Sequence, residues 1–94
     1  MEIKKNKPWR SSRYLAFVRD QPCMMGMQGK VEAHHLRGLG LLGGMAVKSP
    51  DWAAIPLSES AHRKMQTDPT LWADQWSMVA RTLGRAIDQG ILKI

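Results

Sequence analysis

Lys30-Val-Glu-Ala-His-His-Leu36 reads as a short strand that ends in two adjacent histidines. Valine and an apolar/polar alternation favour extended backbone, and Gly29 closes the turn before it. Further on, Ile55-Pro-Leu-Ser-Glu-Ser-Ala-His-Arg-Lys-Met65 begins as an apolar run and changes to helical spacing, with Ser58 as a helix cap. The third and last histidine of the chain, His62, falls in the first turns of that helix. The order is strand, connection, strand, helix, with all three imidazoles near its junctions.

Elements can be read outward from this centre. Residues 1–10 form a basic, flexible arm stopped by Pro8, and residues 11–94 form a single domain. Ser11 or Ser12 caps a helix to about Asp20 that Pro22 ends. A turn over 23–29 leads into the first strand, at roughly 30–36. The glycine-rich stretch Arg37 to Lys48 connects it to a second strand at about 52–57. A helix follows Ser58 to about Met65. Asp68-Pro69 starts a last, amphipathic helix, whose apolar repeat, Leu71, Trp72, Gln75/Trp76, Val79, Leu83 and Ile87, recurs at three- and four-residue spacing to Gly90. Trp72 and Trp76 are expected in its packed face, and Ile91-Leu-Lys-Ile94 closes against the body. The fold class is α+β, with no internal repeat.

Composition narrows the function. Ninety-four residues support one small core. No apolar run approaches the roughly 20 residues needed to span a bilayer, and the N-terminus lacks the apolar stretch of a secretion signal. One cysteine, Cys23, excludes an internal disulfide and suits a reducing cytoplasm. Of the net charge of +6, all lies in residues 1–50, where nine Lys/Arg face three Asp/Glu; residues 51–94 hold five of each. Lys4, Lys5, Lys7, Arg10 and Arg13 concentrate it near the start, the pattern of a phosphate-backbone binder. Arg37 and Lys48, flanking the glycine-rich loop, are further candidates for backbone phosphates.

Histidines near one point have a defined chemistry. Neutral imidazoles hold a divalent cation that stabilises charge on a phosphodiester, and a histidine takes a proton from water near neutral pH. Adjacent strand residues face opposite sides, so at a strand end one ring can turn to a metal and the other to water. The alternative reading is ordinary surface or core histidine. Trp9 either stacks on an unpaired base or folds back onto the body. The loop 38–44 either embraces substrate or only connects, and Arg63 and Lys64 read as a solvated helix face.

Pro22-Cys23, Glu32-Ala-His-His35, the glycine-rich loop, Lys48-Ser-Pro-Asp51 and Ile55-Pro-Leu…Ala-His62-Arg together resemble the HNH (His-Me finger, ββα-metal) nuclease superfamily. The chain is most similar to its small phage and prophage nucleases of the Ref type. The resemblance covers about residues 13–66, and motif order and spacing carry it more than any one motif. It implies a ββα-metal core and a divalent-metal-dependent DNA endonuclease acting in recombination or DNA processing. His35 would be the general base, and His34 and His62 metal ligands. Asp51 would complete the metal sphere or buttress the loop. Gln66, one turn after His62, stands where relatives often place another histidine. The implied cofactor is one divalent cation, Mg2+ first and Mn2+ or Zn2+ as substitutes, and the products carry 5′-phosphate and 3′-hydroxyl ends. Implied partners are single-stranded, branched or duplex DNA, a host recombinase filament and a second copy of the chain, in the cytoplasm of a bacterial host.

The chain departs from that pattern in two places. The cysteine pairs that bind a structural zinc in relatives are absent: Met24-Met25-Gly26 follows Cys23, and Ser58-Glu-Ser-Ala61 fills the second position. No structural zinc is therefore expected, and packing of Met24, Met25 and Met27 would replace the cross-link. The HNH asparagine is not evident, with Ala53 and Ala54 near its place. These departures leave two non-enzymatic readings: a DNA-binding module on a nuclease scaffold, and a protein-interaction module that uses the fold as a frame.

Overall fold

A computed structural model describes residues 9–36 and 49–93. Helix α1 (Ser12–Arg19) precedes strand β1 (Val31–His35). After a 3-10 turn over Asp51–Ala53 come strand β2 (Ala54–Ser58) and helix α2 (Glu59–Thr67). A tight 3-10 turn over Pro69–Asp74 then leads into helix α3 (Gln75–Asp88). The architecture is α+β: helices around one two-stranded antiparallel sheet. Lys4, Lys5, Lys7, Arg37, Lys48 and the loop 38–44 lie outside the described residues.

The sheet register pairs Val31 with Ser58, Ala33 with Pro56, His34 with Ile55 and His35 with Ala54. All five residues of β2 are buried, because helices cover it on both sides. Such a strand reads as a continuous apolar run rather than an alternation, as Ala53 to Leu57 does. Proline inside it is tolerated for a geometric reason. The Pro56 carbonyl faces away from β1 and accepts from the Met24 N–H at 2.9 Å. In an antiparallel strand a residue's N–H and C=O point the same way, so the missing N–H of Pro56 removes no bond to β1.

Two clusters flank β2. The larger joins Leu36, Ala53, Ile55, Leu57, Ala61, Met65, Met78 and Val79, with Cys23, Met24, Met25 and Met27 packed against it. The smaller joins Tyr14, Phe17, Val18, Ala54 and Ala86, with Ile91 and Leu92 at its edge. Burial pushes the Tyr14 hydroxyl up to about 12. Cys23 Sγ accepts from the Ser58 N–H at 3.3 Å, fastening the 23–29 turn to the end of β2. Leu57 is fully buried, so Leu57→Ala removes packing from both the strand and its helices. A loss of about 2–5 kcal/mol is expected in urea unfolding; a loss under about 1 kcal/mol would contradict this core.

The helix caps follow from local chemistry. Ser11 Oγ accepts from the Tyr14 N–H, and Ser58 Oγ from the Ala61 N–H, each satisfying an otherwise unpaired amide. Three expectations need correction. The segment expected as strand from residue 52 starts with a 3-10 turn, because Ala53 N–H bonds back to the Pro50 carbonyl. The last helix does not run from Pro69. Asp68 accepts from Thr70 N–H, and Trp72 Nε1–H is held by the Met65 carbonyl at 2.7 Å, which keeps the chain tightly wound to Asp74. Trp76 and Ile87 are exposed at 36% and 38%, since α3 buries Gln75, Met78, Val79, Thr82 and Ala86 instead. Among the described residues no helix is long and apolar enough to cross a membrane.

Candidate active site

The β1–β2 ladder runs through His35, and Leu36 N–H continues it to the Ala53 carbonyl. Pleating therefore sends His34 and His35 to opposite faces of the sheet. Each ring has a different set of neighbours.

His34 is 2% exposed. Its ring centroid lies 4.5 Å from that of His62, nearly perpendicular at 81°. Its Nε2 is 3.1 Å from Gln75 Oε1. The Gln75 amide nitrogen donates to the Trp72 carbonyl, so its oxygen faces the imidazole and accepts from Nε2–H. A buried oxygen that fixes the orientation of an imidazole is a common support for a ligating histidine. Gln75 sits fully buried on the apolar face of α3. The sequence reading grouped it with the apolar repeat, and its polarity there was the available signal for a buried partner.

His62 lies in the first turns of α2, whose start Ser58 fixes. Its Nδ1 is 3.7 Å from Glu32 Oε2 on the neighbouring strand. Its Nε2 is 3.2 Å from the side-chain nitrogen of Gln66, one turn on, which donates to the ring. Glu32, Glu59, His62, Arg63 and Gln66 line an open concavity of about 350 Å³. The sequence reading gave Glu32 no site role, because strand alternation alone does not predict which helix residue will face it. Among the described residues no group of three or more His, Cys, Asp or Glu side chains is arranged to hold a metal ion.

His35, on the other face, is joined to Asp51 with Nε2 2.9 Å from Oδ1. Asp51 is 3% exposed and receives three donors. His35 and Arg10 Nη1 both reach Oδ1, the latter at 3.0 Å, and Ser11 N–H reaches Oδ2 at 2.8 Å. Burial pushes this carboxyl up, but the hydrogen bonds from His35, Ser11 and Arg10 outweigh it and hold Asp51 below its ordinary range. An ionised carboxylate only accepts, so the His35 nitrogen facing it carries the proton. In the neutral ring the lone pair is then on Nδ1.

The structure thus gathers the predicted residues into two groups. His34 and His62 meet on one face with Gln66 beside them. His35 and Asp51 meet on the other, where Asp51 buttresses His35, Arg10 and the start of α1. Arg10, expected in a free arm, binds Asp51 and donates to the Ser49 carbonyl at 2.8 Å, while its side chain remains 44% exposed. Trp9 is tied down as well, its carbonyl accepting from Asp51 N–H at 2.9 Å. Residues 9 and 10 are therefore fastened to Asp51 and Ser49. Arg13, Arg63 and Lys64 are exposed on helix surfaces.

Comparison with known proteins adds a family. The profile of the family described as "Protein of unknown function (DUF968)" matches residues 1–91. The chain belongs to the DUF968 family. Within the curated proteins it is similar to the "Uncharacterized protein YdfU" of Escherichia coli (strain K12), with 30% identity over 96 residues. The match takes in 98% of this DUF968 chain but 27% of that protein, so the chain spans about a quarter of its relative's length. No solved structure matches.

Proposed function

We propose that this DUF968 domain is a divalent-metal-dependent DNA endonuclease of HNH type. The observation that carries the reading is the histidine placement: His34 and His35 end the strand before the long connection, and His62 opens the helix after the second strand, with its ring 4.5 Å from that of His34. The order β1, connection, β2, α2 is the order of a ββα-metal core, and the basic first half suits a polyanionic substrate. A role in phage or prophage recombination, beside a host recombinase filament, rests on the sequence resemblance.

In this reading His35 is the base. Its Nε2–H stays on Asp51 while Nδ1 takes the proton from the attacking water, and the carboxylate then stabilises the imidazolium. His34 and His62 would hold the cation, with Gln66 close by and water or phosphate oxygens completing the sphere. The cation's contribution is neutralisation of charge on the scissile phosphate and its leaving oxygen. Two imidazoles fit a borderline ion such as Zn2+ at least as well as Mg2+ or Mn2+, which favour oxygen ligands. Gln75 keeps the His34 ring in one orientation.

One observation favours a second reading, a DNA-binding module without catalysis. His35 projects from the opposite face of β1 to His34 and His62. A substrate phosphate must then lie across the strand end to meet both groups. Titration with Mn2+, followed by NMR of the three histidine rings, separates the readings. The nuclease reading predicts selective broadening of His34 and His62 at sub-millimolar ion, abolished in His62→Ala. Uniform or absent broadening would leave the domain as a DNA binder.

A further inference from the structure

We propose that Trp9 is a stacking platform for one unpaired nucleobase beside the candidate base, which makes single-stranded DNA the preferred substrate form. The inference rests on the reading of DNA as the partner and adds which form of DNA is held.

The placement of Trp9 is determined by Asp51. The Trp9 carbonyl accepts from Asp51 N–H at 2.9 Å, and the next two residues, Arg10 and Ser11, donate to the Asp51 carboxylate. Oδ1 of the same carboxylate holds His35 Nε2 at 2.9 Å. Residues 9–11 and His35 are therefore fixed to one buried residue, Trp9 through its backbone amide and the others through its carboxylate, which keeps the start of the chain's described body close to the imidazole.

The indole itself is held but not covered. Its ring contacts Tyr14 edge-to-face, with centroids 5.8 Å apart and planes at 65°. Such a contact occupies at most one face of the indole, and Trp9 keeps 42% of its surface exposed. An exposed tryptophan costs free energy in water unless something covers it, and a fixed ring has little rotamer entropy left to lose on binding. Arg10 follows Trp9 in the chain and Arg13 lies four residues on, and both are exposed. Single-strand binders combine an aromatic face that stacks a base with cations that follow the backbone. Bases within a duplex are already stacked on their neighbours and offer no face to it. Trp76, exposed on α3 with no Lys or Arg within four residues of it in the chain, serves as a control.

The test is binding of a fluorescein-labelled dT20 oligonucleotide, and of a duplex hairpin with the same number of phosphates, in EDTA at several salt concentrations. Trp9→Leu keeps an apolar contact for Tyr14 but removes the π-face, and Trp9→Phe restores one. Trp9→Leu should weaken dT20 binding roughly tenfold, within the range for one stacked base. Trp9→Phe and Trp76→Leu should stay within about threefold of wild type, and hairpin binding should hardly change. The slope of affinity against salt should match wild type, since phosphate contacts are untouched. Wild-type affinity for dT20 in Trp9→Leu, or an equal loss on the hairpin, would overturn the stacking role and leave the nuclease reading intact. If wild type bound neither DNA at low salt, both would fall. Trp9-dependent binding without metal-dependent cleavage would sustain the platform and overturn the nuclease.

Discussion

His35→Ala should reduce phosphodiester cleavage by on the order of 10²- to 10⁴-fold, the range for removing a general base, with little change in DNA affinity. The ring is partly exposed at the strand end, and among the described residues its hydrogen bond is to Asp51, so its loss leaves the core packing intact. The check is single-turnover cleavage of a labelled oligonucleotide, with affinity measured separately in EDTA. Equal losses of cleavage and affinity would assign His35 to binding instead. His62→Ala should reduce cleavage too, but excess Mn2+ should partly restore it, whereas no metal concentration should restore His35→Ala.

Asp51→Asn should destabilise the domain by about 1–3 kcal/mol at neutral pH and impair cleavage as well. Both carboxylate oxygens accept: Oδ1 from His35 and Arg10, Oδ2 from Ser11 N–H. An amide supplies one acceptor and turns an NH2 toward a donor on the other side, so no rotamer satisfies all three. The upper end of the range is moderated because His35 and Arg10 are themselves partly in water. The pH dependence follows from the carboxyl being held below its ordinary range. Such a group binds fewer protons folded than unfolded, so its stabilisation is present above the unfolded value of about 3.9 and fades as pH falls through the lower folded value. Wild type should lose stability over that acid window, and Asp51→Asn should show a shallower loss there. Parallel curves for the two proteins, by urea unfolding between neutral pH and about pH 3, would remove Asp51 from the account.

Much of this arrangement is legible in the sequence because it is local. Ser11 and Ser58 announce helix starts through their own side chains, and the apolar run through Ile55 and Leu57 announces the second strand. Gly90, at φ 75°, announces the end of α3. The contacts that organise the site are not local. Asp51 lies 16 residues from His35 and 41 from Arg10, and Gln75 lies 41 from His34. No spacing rule links them. A pattern reader also places Trp76 inside, since tryptophan scores as apolar. The helix instead turns Gln75 inward, because a buried imidazole needs a hydrogen-bonding partner more than the core needs another ring. The opposed faces of His34 and His35 follow from strand alternation, but only the ladder continuing to Leu36 establishes that the alternation persists to the strand end.

Cleavage itself is the most direct measurement. Supercoiled plasmid and labelled single-stranded DNA should be incubated with the wild-type domain in Mg2+, Mn2+ or EDTA, beside His35→Ala. The account predicts nicked circles and cut single strands with metal, none in EDTA, and none above background in the variant. Wild-type protein that binds both DNAs yet cuts neither with any divalent ion would contradict it.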